Sequence, residues 1–157
     1  MESHREIAER WYDQIAIKQH EHYLAALHFS RLHYWIGIPL ILLTAILGKS
    51  VFARTQHKRS VSSRVALGTL SVSATILAAL QTLLSYNERV VKHQIAGTRY
   101  ANLNWQLALM LAQDPGCTGL DDIGKQLDAL AQESPNIPGS VDKAMAGYRP
   151  RWQRVSN

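Results

Sequence analysis

The sequence predicts an all-α fold: a two-span transmembrane helical hairpin with long helical extensions outside the bilayer and a short C-terminal helix. Three observations carry this. Val65 to Asn87 are 23 consecutive uncharged residues, mostly apolar or small. As a helix they reach roughly 34 Å at ~1.5 Å per residue, enough to cross a hydrocarbon layer of ~30 Å. Between Arg31 and Lys49 lie 17 further uncharged residues, LHYWIGIPLILLTAILG, and apolar character resumes at Val51, Phe52 and Ala53. This second stretch spans if Lys49 sits near an edge and its ammonium reaches out to water. Finally, no strand-like alternation is long enough to support a sheet. Polar flanks dilute the average, so the mean hydropathy is only -0.14. The rival reading, a soluble bundle with two core helices, requires such helices to stay charge-free for unusually long runs.

The elements follow in order within a single domain, residues 1–157. Residues 1–31 read as helix, because Ala8, Tyr12, Ile15, Gln19, His22, Ala26 and Phe29 recur at alternating spacings of four and three, and neither Gly nor Pro interrupts before Gly37. Glu2, Arg5, Glu6, Glu9, Arg10 and Asp13 crowd the region where a cleavable signal would need its apolar core, so the first span is expected to remain in the mature protein. The spans occupy residues 32–53 and 65–87. Tyr34 and Trp35 at one end of the first, and Tyr86 at one end of the second, suit the aromatic belts at a membrane surface. Gly37 and Pro39 predict a kink or break near that surface, a candidate hinge, since proline removes a backbone donor and crowds the preceding turn.

Beyond the second span the helical pattern continues with Ala96, Tyr100, Leu103, Leu107 and Met110, and no strong breaker precedes Asp114-Pro115-Gly116. One helix from about Val65 to about Gln113 is expected, its final part being the extension 88–113. A third helix, 118–133, is expected to start at Thr118, with its hydroxyl as cap and Asp121 supporting the first turn, and to present Leu120, Ile123, Leu127 and Leu130 on its apolar face. Ser134-Pro135-Asn136-Ile137-Pro138-Gly139 ends it. The remaining tail, 134–157, is basic and aromatic at its end (Tyr148, Arg149, Arg151, Trp152, Arg154).

The net charge of +5 and pI near 9.6 could point to nucleic acid, but the excess has one location. Lys49, Arg54, Lys58, Arg59 and Arg64 fall in and around the link 54–64 without an acid among them. Such a juxtamembrane cluster fits lipid headgroups, and no nucleic acid is expected as direct ligand. Lys18, Arg31, Arg89, Lys92 and Arg99 near the opposite ends balance it, so positive charge does not decide the orientation. Termini in the cytoplasm are favoured because the folded mass, the lone thiol Cys117 and any regulatory partner then share one compartment.

Along the second span Gly68, Ser71, Thr75, Ala78, Thr82 and Ser85 recur at spacings of three and four, making one helix face wholly small or hydroxylated. Such a face permits close helix packing in a membrane. Repeated in several copies it could instead line an aqueous path, with Gln81 and Thr82 as its most polar interior points. Glu88 and Lys92 can pair along their helix, and an Arg31–Glu88 ion pair is expected across the hairpin. Seven histidines raise the question of a metal, yet His20, His22 and His28 lack the i,i+3 or i,i+4 partners that helical ligation uses. They read as solvated or interfacial, with no metal and no cofactor expected. Phosphate loops, nucleophile elbows, CxxC motifs and paired acids in an apolar pocket are all missing from the sequence, which argues against an enzyme.

Three stretches, HYLAALHFSRLHYWIGIPLILLTAILGKSVF (His22 to Phe52), LQTLLSYNERVVKHQIAGTRYANL (Leu80 to Leu103) and SPNIP (Ser134 to Pro138), resemble the SLATT family, the SMODS and SLOG-associating two-transmembrane effector domains of prokaryotic conflict systems. The similarity covers roughly residues 5 to 140. It implies a multi-pass protein of the cell inner membrane that forms pores when a linked sensor signals phage infection. The trigger would be a separate sensor protein or a nucleotide second messenger, because no nucleotide-making or nucleotide-binding domain is fused here. A single hairpin cannot enclose an ion path, so a homo-oligomer is expected, with membrane lipid as its other partner and the heptad-like stripes of the extensions as candidate assembly seams. The alternative is a non-conducting membrane adaptor that recruits a cytoplasmic partner through those extensions.

Overall fold

The structure is a computed structural model that describes residues 3–52, 61–113 and 116–145. Among the described residues there are five helices and no strand: α1 (His4–Phe52), α2 (Val61–Leu84), α3 (Tyr86–Gln113), α4 (Leu120–Glu133) and α5 (Gly139–Met145). The fold is all-α and contains two long apolar helices arranged as a two-span hairpin. Most of the basic link and the aromatic end of the tail lie outside the described residues. Two compact units emerge, one from Phe29–Glu88 and one from the described residues up to His28 and from Arg89 onward.

α1 begins with a reciprocal cap. The Glu6 backbone N–H donates to Ser3 Oγ (3.3 Å), and the Ser3 N–H donates to Glu6 Oε2 (2.9 Å). This is a capping box, S-x-x-E, which satisfies two donors that the first turn would otherwise orphan. The helix then continues for 49 residues with Gly37 and Pro39 inside it, so the chain does not leave the helix there. Proline forfeits one backbone hydrogen bond, whereas ending the helix inside an apolar run would orphan several.

The second half of the sequence departs from expectation in three places. The predicted continuous helix from Val65 to Gln113 is divided at Ser85, whose φ of 42° is left-handed. Its hydroxyl donates to the Thr82 carbonyl (3.1 Å), one of the acceptors left open where α2 ends. At α4, the cap is Gly119 and not Thr118: Gly119 adopts φ 97°, no side chain caps the helix, and the Asp122 and Ile123 N–H groups donate to the Gly119 carbonyl at 3.1 and 3.3 Å. Two left-handed residues in this loop, Cys117 (φ 49°) and Gly119, delay the helix start, and glycine adopts the second without a Cβ penalty. Third, the segment expected to be tail contains α5, which starts with the Val141 and Asp142 N–H groups donating to the Pro138 carbonyl at 2.9 and 3.1 Å.

In the unit made of both chain ends, Ala8, Ile15 and His22 of α1 are buried at seven-residue spacing, and so are His93, Tyr100 and Leu107 of α3. The two helices run antiparallel, pairing His22 with His93 and bringing Tyr23 against Gly97. Leu120, Ile123 and Leu130 of α4 complete the main core together with Ala8, Ile15, Tyr100, Leu103, Leu107 and Cys117. A smaller cluster joins Ala25 to Val141 and Met145 of α5.

The other unit is the hairpin. Phe29 and Tyr86 bring their rings to 6.2 Å at one end, and a Cβ on Gly37 would lie 3.5 Å from Gln81 Nε2 further along, so this part of α1 and α2 is also antiparallel. Ala74 is the buried residue of the α2 seam, flanked by the half-buried Leu67, Leu70, Leu77, Gln81 and Leu84.

Candidate functional site

The hairpin exposes the side chains a bilayer would cover. Trp35 is 79% exposed and Leu83 80%, while Ile38, Ile41, Leu42, Ile46, Val65, Val72 and Ile76 are each exposed by more than half. In the most apolar window of each long helix only 6% of residues are buried. Core helices of a soluble protein bury most of such a window. Here the apolar surface faces outward, and it far exceeds the scattered exposure normal for a soluble monomer.

Every member of the small face, Gly68, Ser71, Thr75, Ala78, Thr82 and Ser85, is exposed. This stripe therefore lies beside the hairpin seam and takes no part in it. Gln81 does not belong to it: at one position before Thr82 it turns about 100° around the helix, to the side that faces Gly37. Three hydroxyls of the stripe, those of Thr75, Thr82 and Ser85, are held by their own helix. Thr75 Oγ1 donates to the Ser71 carbonyl (2.9 Å), Thr82 Oγ1 to the Ala78 carbonyl (3.1 Å) and Ser85 Oγ to the Thr82 carbonyl. With their donors satisfied, they can enter a dry helix contact without leaving a buried donor unpaired.

Ion pairs among the described residues include Arg5–Glu9, Lys18–Glu21, Arg99–Glu133 and Lys125–Asp122. Several members of the heptad-like stripes of the extensions, Ala8, Ile15, Tyr100, Leu103 and Leu107, pack together with α4 in the core of this unit.

The largest departure from the sequence reading is a buried histidine pair. His22 and His93 are each only 2% exposed, and their Nδ1 atoms lie 3.0 Å apart, within hydrogen-bond distance. The ring of Tyr100 stacks on His22, centroids 5.3 Å apart and planes inclined by 17°. His22, expected to be solvated, occupies the same seven-residue register as Ala8 and Ile15, and that register was the signal that could have placed it in the core. Burial lowers the pKa of both rings. Desolvation is the main cause for each; it is reinforced at His22 by His93 and Lys18, which bring the value to about 4, and at His93 by Arg89. Among the described residues no group of three or more His, Cys, Asp or Glu could hold a metal ion.

An open groove of about 410 Å³ runs between α3 and the end of α4, lined by Lys92, Ile95, Arg99, Leu130, Glu133 and Pro135. The Arg99–Glu133 bridge crosses it. No family model, curated protein or solved structure matches this chain.

Proposed function

We propose that this chain is a membrane effector of a prokaryotic anti-phage conflict system. It sits in the inner membrane through its hairpin, associates with further copies through the small face of α2, and disrupts the membrane as a pore when an infection signal arrives. The signal comes from a separate sensor protein or a nucleotide second messenger. The observation that carries the reading is the pairing of an outward-facing apolar hairpin with an exposed stripe, Gly68 to Ser85, left outside the hairpin's own seam. In lipid the apolar effect gives helices no reason to associate, so small surfaces that allow close backbone approach supply the contact. The resemblance of the His22–Phe52, Leu80–Leu103 and SPNIP stretches to SLATT effectors supplies the biological setting.

Replacing Ser71, Thr75 and Thr82 together by Leu tests this reading. Toxicity in cells should vanish while the protein stays in the membrane fraction, and purified wild-type protein should release dye from liposomes. Undiminished killing by the triple variant would remove the small face from the mechanism. A second reading is favoured by the inward hydrogen bonding of Thr75, Thr82 and Ser85, which suits a dry, non-conducting contact. In that case the chain is an adaptor that recruits a cytoplasmic partner, association persists, and no dye is released.

A further inference from the structure

α3 carries a second stripe, on the side turned away from its core. Val91, Ile95, Thr98, Asn102, Trp105 and Leu109 recur at spacings of four and three, and every one is exposed, Ile95 by 55% and Trp105 by 66%. At ~100° per residue they fall within about 80° of one another around the helix, roughly opposite the buried His93, Tyr100 and Leu107. We propose that this stripe is a seam for a second copy of the chain, in which the α3 helices of neighbouring copies pack side by side and parallel. The seam rests on the reading that the hairpin sits in lipid and gathers copies there. It adds a contact beyond the spans, on residues other than the small face of α2.

The width of the stripe selects a helix as its occupant. A helix lying on a bilayer needs a broad apolar face, whereas two alternating positions of a seven-residue repeat make the narrow seam that one partner helix covers. Gln94, Ala101 and Ala108 flank the seam on one side, and Lys92, Arg99 and Gln106 on the other. These flanks choose the orientation. In a parallel pair Gln94 of one copy meets Arg99 of the other, and Asn102 meets Asn102, each amide offering its equivalent both a donor and an acceptor. The antiparallel register sets Arg99 against Arg99 and leaves Asn102 beside Thr98, whose hydroxyl already donates to the Gln94 carbonyl at 2.9 Å. Charge therefore favours the parallel pair. Copies that enter one membrane the same way round are related by a rotation about its normal, which runs their α3 helices in that same sense.

Area separates a second copy from a soluble partner. From Val91 to Leu109 the seam is ~27 Å long and about one helix diameter, ~10 Å, across, or on the order of 300 Å² per copy. A stable interface between free proteins takes ~800 Å² per partner. The stripe by itself is too small to hold a protein arriving from solution. Copies already joined in the bilayer meet this second contact at high effective concentration, and a short seam then suffices.

The test places a single cysteine at Leu109 in the full-length Cys117→Ser chain and treats native membranes with a short bis-maleimide. Leu109 stands at one end of the stripe, so parallel copies bring the two thiols together, whereas antiparallel packing holds them ~27 Å apart. Leu109→Cys should yield cross-linked dimer. Adding Ile95→Glu, which sets two carboxylates face to face in an apolar layer, should slow the cross-linking about tenfold while the protein stays in the membrane fraction. Trp105→Ser should act in the same direction without adding charge. A cysteine at Asp128, exposed on α4, should give little dimer under the same conditions. Equal yields from Leu109→Cys and Asp128→Cys, or an undiminished rate in both seam variants, would overturn the proposal. A cysteine at Thr75, on the small face, keeps the two readings apart: dimer from Thr75→Cys with none from Leu109→Cys removes the α3 seam and leaves association in the bilayer standing, and no dimer from either removes both. A Leu109→Cys thiol shielded from water-soluble maleimide without dimer would mean that lipid or another protein covers the stripe, which also defeats the seam.

Discussion

Tyr23 of α1 rests its ring against Gly97 of α3: a Cβ at Gly97 would come within 3.0 Å of Cε1 and 3.2 Å of Cδ1. Contacts that short are tighter than ordinary van der Waals packing, so a methyl group here obliges the Tyr23 ring to give by a few tenths of an ångström. Gly97→Ala should gain up to about 1 kcal/mol of helix propensity and lose about 1–3 kcal/mol to crowding, for a net loss of stability. Chemical denaturation checks the sign. In a Tyr23→Ala background the crowding is gone, and the same Gly97→Ala change should become stabilising. A loss of equal size in both backgrounds would mean that the ring does not set the cost.

The paired imidazoles make a related prediction at fixed pH. His22→Leu removes one partner and leaves Nδ1 of His93 without the ring it bonds, at a cost of about 1–3 kcal/mol at neutral pH. Adding His93→Leu should recover part of that loss, since two apolar residues in one layer leave neither ring nitrogen to satisfy. The single variants should each lose more stability than the double. A double variant worse than the sum of the singles would contradict a paired role.

At Ser85 the backbone and the side chain can be separated. A non-glycine residue with φ of 42° carries roughly 1–2 kcal/mol of strain, which Ser85→Gly removes while giving up the bond to Thr82. Glycine's extra chain entropy offsets part of the gain, so the net effect should be a stabilisation of no more than about 1 kcal/mol. Ser85→Ala keeps the strain and loses the hydroxyl, and it should be destabilising. The midpoint of thermal unfolding, followed by helix content in micelles, orders the three proteins as Gly above Ser above Ala.

The spans, the stripes and the small face were legible because each is a one-dimensional pattern. Charge-free length marks the hairpin helices, and a seven-residue apolar register marks α1 and α3. What the pattern could not say is which surface each stripe meets. The extension stripes looked equally suited to another copy, and only the fold shows Ile15 packed in one cluster with Leu103 and Leu107 of the same chain. His22 stood in the helical register of α1, yet as a histidine it was read as solvated or interfacial, and its partner lies 71 positions away, beyond the reach of local spacing. Ser85 carries no glycine or proline signal, so its left-handed turn was invisible. The Ser3–Glu6 capping box was present as S-x-x-E and could have been read.

If the small face joins copies, its position on α2 determines where neighbouring helices meet. Successive residues turn about 100°, so Thr75 points between copies, Ala74 faces α1 in the buried seam, and Leu80 looks towards lipid from the far side. In a Cys117→Ser background, single cysteines at these three positions should behave differently under mild oxidation in native membranes. Thr75→Cys should yield a disulfide-linked dimer, because close approach across small residues brings equivalent Cβ atoms to the ~3.5–4.5 Å that a disulfide requires. Ala74→Cys should not, being covered by its own hairpin, and Leu80→Cys should react only with lipid-soluble maleimide. Efficient dimer from Leu80→Cys, with none from Thr75→Cys, would place the contact on the other side of the helix and exclude the Gly68 to Ser85 stripe as the seam.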